Sequence, residues 1–110
     1  MQKRIHEILN ELGIPFSVSG REFLETAIEL IYENGRMGMT KELYPLLGQI
    51  FNKPAHQIER SIRVAIERSF DKPNMQAVEK FFGNTVSPES GKLVNSEFIY
   101  GVAKYLKIYS

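Results

Sequence analysis

Apolar residues recur at three- and four-residue steps along almost the whole chain, so the sequence reads as a succession of short amphipathic helices. Ile5, Ile8, Leu9 and Leu12 predict a first helix, closed by Gly13 and the following Ile14-Pro15. Leu24, Ala27, Ile28 and Ile31 predict a second, from residue 19 or 20 to residue 34, with its acids outward and Gly35 at its end. Thr40 is the expected N-cap of a third helix with Leu43, Leu46, Leu47 and Ile50 inward and Pro45 just inside it. Asn52-Lys53-Pro54 forms a break. Pro54 suits the first position of a fourth helix, where its missing N–H would be unbonded anyway, and that helix runs to about residue 70. Val78, Phe81 and Phe82 predict a fifth helix stopped by Gly83; Asn95 or Ser96 caps a last one bearing Phe98, Ile99, Val102, Ala103 and Leu106. Residues 84–94 form the longest irregular stretch, with turns at the Ser-Pro and Ser-Gly pairs. Phe16-Ser17-Val18-Ser19 alternates too briefly for a strand and reads as an extended connector. Six helices with short connectors and no lasting heptad seam predict an all-α, six-helix orthogonal bundle in a single domain.

Within that frame, residues 40–69 have the layout of a helix-turn-helix. Ile58, Ile62, Ala65, Ile66 and Phe70 occupy one side of the second helix. His56, Arg60, Arg63 and Glu67 fall within about 30° of the opposite pole, with Glu59 on one flank and Gln57 and Val64 on the other. Such a face can reach base edges and phosphates, although the same period also suits an ordinary solvated helix. Charge adds to the picture: residues 36–72 carry seven Lys or Arg against four Asp or Glu, a local excess of +3 in a chain of net charge +1.

Composition narrows the classes that remain. With 43% hydrophobic and 25% charged residues, the chain has the make-up of a soluble globular domain, and no apolar run approaches the roughly 20 residues needed to span a bilayer. No basic-then-apolar leader begins at Met1, so a cytoplasmic location and no membrane association are expected. The absence of cysteine removes disulfides, thiolate metal sites and cysteine nucleophiles together. His6 and His56 are isolated, Glu22, Glu25, Glu29 and Glu33 read as a solvated helix face, and Gly35 and Gly38 lack the Lys-Ser/Thr pair of a phosphate loop. No catalytic residue, metal or cofactor is therefore expected.

Four segments carry a more specific likeness. Leu43-Tyr44-Pro45, the run from Ile58 through Glu67, Phe82-Gly83-Asn84-Thr85-Val86-Ser87 and Asn95-Ser96-Glu97-Phe98-Ile99 closely resemble the C-terminal effector domain of the stage zero sporulation protein A family, the master response regulators of sporulation. The likeness covers nearly the whole chain. It implies a domain that binds duplex DNA at boxes similar to TGTCGAA, often in tandem, and regulates transcription from there.

The resemblance further implies that the helix over residues 54–70 enters the major groove, with Gln57, Glu59, Arg60 and Arg63 in base-reading positions. Arg60 and Arg63 can each offer a guanidinium fork to guanine, and Glu59 can accept from a cytosine amino group. Thr40 at the start of the third helix, Lys41, Lys53, His56 and Arg68 suit phosphate anchoring, though Arg68 and Lys72 also suit a plain solvated helix end. By the same analogy, the region around Gln76, Glu79 and Lys80 corresponds to a surface for the RNA polymerase sigma factor, and the final helix to a surface for self-association on tandem sites. Phe81, Phe82 and Phe98 are expected in the core.

The family's receiver domain is absent from these 110 residues. Gln57 and Val64 stand where the family has arginine and histidine, which implies a shifted target sequence. The alternative reading is a helical protein-interaction module that keeps the bundle and has lost DNA reading.

Overall fold

The computed structural model describes residues 1–83 and 93–109, so most of the predicted irregular stretch lies outside the described residues. Among the described residues six α-helices follow one another: α1 (Gln2–Leu12), α2 (Gly20–Asn34), α3 (Tyr44–Phe51), α4 (Ala55–Ser69), α5 (Met75–Phe82) and α6 (Asn95–Tyr109). The fold is all-α, as the 3.6-residue period requires.

Helix α2 lies at the centre and packs mainly against α6 and α4; α3 packs on α4, α1 on α2 and α5 on α6. The inward stripes meet in one core, where Leu24 and Ile28 of α2, Ile58, Ile62 and Ile66 of α4, and Phe98, Ile99 and Val102 of α6 are buried. Each such side chain contributes about 1.5–3 kcal/mol by leaving water, which is why burial rather than helix propensity fixes the orientation of α4. Phe81 and Phe82 also lie in the core, and the Phe82 ring packs on Phe98 with centroids 5.1 Å apart.

Several local expectations change. Thr40 does not cap α3; it lies inside a single π turn, Met39–Leu43, in which the Leu43 N–H donates to the Gly38 carbonyl at 2.9 Å. The Glu42 carboxylate reaches back to accept the N–H of Gly38, the residue that precedes this turn, at 3.0 Å. With this lead-in, α3 turns Tyr44, Leu47 and Gly48 to the core, while Ile50 is 51% exposed and Leu46 only half-buried. Pro54 is the residue before α4 rather than its first: it is extended (φ −63, ψ 146), and its carbonyl accepts from the N–H groups of Gln57 and Ile58. At the start of α6 the Val94 carbonyl accepts the Phe98 N–H and the Val94 N–H is taken by Glu97, each at 3.1 Å, so Asn95 and Ser96 lie inside the helix rather than capping it, and the Asn95 side chain is engaged elsewhere. Residues 16–19 fold into turns instead of extending.

Candidate nucleic-acid interface

The α3–turn–α4 unit is closed by backbone. Asn52 adopts the left-handed conformation (φ 55, ψ 51), and the Lys53 N–H donates to the Gly48 carbonyl at 3.0 Å. A Cβ on residue 48 would stand 2.5 Å from the Lys53 carbonyl oxygen, so glycine alone lets the chain reverse this tightly. A second close approach fixes the other side: a Cβ on Gly20 would lie 1.9 Å from the Ser61 carbonyl oxygen, so α2 begins directly against the backbone of α4. The second helix of the motif is thus held by contacts on both sides as well as by its buried stripe.

On the outward face, His56, Gln57, Arg60, Arg63, Val64 and Arg68 are exposed and Glu59 and Glu67 half-buried, over buried Ile58, Ile62, Ala65 and Ile66. Two grooves flank this ridge. One, of about 530 Å³, brings His56, Gln57, Arg60 and Val64 together with Val18, Ser19 and Gly20 at the start of α2. The other, of about 450 Å³, brings Glu59, Arg63 and Glu67 together with Thr40 and the start of α6. Lys41, Lys53 and Arg68 are exposed but line neither groove.

The two arginines differ in their partners. Arg63 Nε lies 3.2 Å from a Glu59 carboxylate oxygen, and its Nη1 lies 3.8 Å from Glu67. Arg60 has no ion pair among the described residues. Below the second groove, Asn95 Nδ2 donates to the Tyr44 hydroxyl and to the Glu59 carbonyl, each at 3.2 Å. Burial pushes the Tyr44 phenol above its ordinary pKa, with the Asn95 hydrogen bond opposing, so the hydroxyl stays protonated at neutral pH.

On α5, Gln76, Glu79 and Lys80 are exposed, and Lys80 pairs with Glu11 of α1 at 3.3 Å. Sequence reasoning missed Arg21, which is 4% exposed and donates to the carbonyls of Ile14 (2.7 Å) and His6 (3.1 Å) beneath the Phe16 ring. Its spacing from Leu24, Ile28 and Ile31 was the available signal, since it places residue 21 on the inward face. No group of three or more potential metal ligands occurs among the described residues, and no helix there is long and apolar enough to cross a membrane.

A tight-turned helix pair that buries an aliphatic stripe and presents arginines and an amide on its opposite face has the layout of a helix-turn-helix. Residues 5–106 match the family described as Sporulation initiation factor Spo0A C terminal, and the chain belongs to that family. It is therefore a response-regulator effector domain of sporulation whose family binds double-stranded DNA; the family is a regulatory one, not a family of enzymes.

Proposed function

We propose that this chain is a single sequence-specific DNA-binding domain that lays α4 in the major groove of boxes similar to TGTCGAA and regulates transcription from the cytoplasm. The observation that carries the reading is the exposure of Arg60 and Arg63 directly above buried Ile58, Ile62 and Ile66, on a helix held against α3 and α2 by backbone contacts. A 15-residue helix is about 22 Å long, enough to lie across a groove about 12 Å wide with its middle turns against base edges.

Gln57, Glu59, Arg60 and Arg63 read bases in this account, while Thr40, Lys41, Lys53, His56 and Arg68 anchor phosphates around them. Lys53 in the turn and Arg68 in the last turn of α4 sit at opposite ends of the helix, where the two phosphate walls of the groove would lie. Gln76, Glu79 and Lys80 form the surface offered to the RNA polymerase sigma factor, and α6 supports self-association on tandem boxes. Fluorescence-anisotropy titration against a TGTCGAA duplex and a scrambled duplex tests the reading. Tighter binding to the box is expected; equal affinity for both duplexes would leave a bundle that does not read sequence. In the same assay Lys53→Ala should weaken both duplexes alike and lower the slope of log K against log salt by about one unit.

A further inference from the structure

Asn95 opens α6, 36 residues beyond Glu59 and 51 beyond Tyr44, yet its side chain serves the helix-turn-helix. Its single amide nitrogen bridges the two helices of the motif, donating to the Tyr44 hydroxyl in α3 and the Glu59 carbonyl in α4 at 3.2 Å each. The usual reason for an asparagine at a helix start does not apply, because Asn95 is already the first residue inside α6 and the group it uses is the amide nitrogen, a donor, which cannot cap the free N–H groups of the first turn. The body of α6 is anchored by Phe98, Ile99 and Val102 in the core, so the amide projects from a fixed base. The same helix also steadies the approach to α3, since the Tyr100 hydroxyl donates to the Met37 carbonyl.

We propose that Asn95 is a positioning residue for sequence reading: by holding the Glu59 carbonyl it sets the rotation and depth of α4, and with them the angle at which Glu59 and Arg60 meet base edges. The inference rests on the reading of DNA by α4 proposed above. Hydrogen bonds to bases tolerate errors of only about 0.5 Å and 10–20°, so a small rotation of α4 costs discrimination while the buried stripe keeps the helix folded. Phosphate contacts, which bend with their long side chains, are much less sensitive.

Three variants separate this role from a merely structural one. Asn95→Ala removes both bonds. Asn95→Asp keeps the size and can accept a bond from the Tyr44 hydroxyl, reversing the wild-type direction, but has no donor for the Glu59 carbonyl; Tyr44→Phe leaves the Asn95–Glu59 bond in place. Each is checked for folding by circular dichroism and thermal melt, then titrated against the duplex best enriched from a random pool and against a random-sequence duplex at one salt concentration. The ratio of the two affinities should fall about five- to tenfold in Asn95→Ala and Asn95→Asp and stay at the wild-type value in Tyr44→Phe.

Wild-type ratios in both Asn95 variants would overturn the proposal, as would an equal fall in Tyr44→Phe or failure of both Asn95 variants to fold, which would make the amide a structural bond only. Arg60→Ala is titrated alongside. A lost ratio there with intact Asn95 variants defeats the positioning role alone, whereas an intact ratio in Arg60→Ala defeats reading by α4 and this inference with it.

Discussion

Arg60 and Arg63 stand three residues apart on one exposed face, and the bundle surrounds them differently. Arg63 lies between two carboxylates, Glu59 four residues before it and Glu67 four residues after, in the groove roofed by Thr40 and the start of α6. Arg60 faces the groove beside the start of α2 with Gln57 and His56 for neighbours, and no carboxylate among the described residues pairs with it. Exposed pairs of this kind contribute about 0–1 kcal/mol, so the acids around Arg63 orient it more than they stabilise the helix. If α4 reads DNA as proposed, Arg63 would meet a base with its fork already aligned and its charge partly offset. Arg60 would meet one with full charge and full side-chain freedom, and should dominate electrostatic attraction to the duplex.

The largest effect expected breaks both flanks at once. Ile62→Ala removes a fully buried side chain beneath the ridge and should cost about 2–5 kcal/mol in a denaturant melt; a loss under about 0.5 kcal/mol would mean that the stripe does not support α4. Next, Arg60→Ala should weaken binding to the preferred duplex by about 1–3 kcal/mol while random DNA is affected less. Equal losses on both duplexes would make Arg60 an anchor and not a reader.

Gln57 sharpens the same flank. An amide matches adenine N6 and N7 better than guanine O6 and N7, so specificity at one position should move towards adenine, and Gln57→Arg should gain about 1 kcal/mol on the TGTCGAA box. Val64, 37% exposed two turns beyond Gln57, offers at most an apolar touch to a thymine methyl. No gain from Gln57→Arg would place residue 57 away from the bases. The smallest effect lies on the Arg63 side: Glu67→Gln should change stability by less than about 0.5 kcal/mol. It should also tighten binding to random DNA slightly by removing a like charge from beside the phosphates.

The amphipathic period made most of this architecture legible. Ile58, Ile62 and Ile66 could point inward only if Arg60 and Arg63 pointed out, and the structure has them so. The likeness in Leu43-Tyr44-Pro45 and Asn95-Ser96-Glu97-Phe98 pointed to the family that the match over residues 5–106 shows. Features fixed by distant or backbone partners were not legible. The π turn at Met39–Leu43 is closed by backbone bonds from Leu43 to Gly38 and from Tyr44 to Met39, and Thr40 looked like a cap because threonine is a good one. Arg21 is a charged residue that helical spacing places inward, and only the folded chain shows the two carbonyls that satisfy it. Asn95 likewise resembles a cap in sequence, and its true partners are brought to it by the packing of α6 against α4.

The central claim is that the exposed face of α4 reads sequence, and parallel selection of binding sites from a random duplex pool by the wild-type domain and by Arg60→Ala tests it most directly. The wild-type domain should enrich one short motif, and Arg60→Ala should lose preference at a single base pair of that motif while keeping the others. Enrichment of the same motif by both proteins, or of no motif by either, would contradict the account.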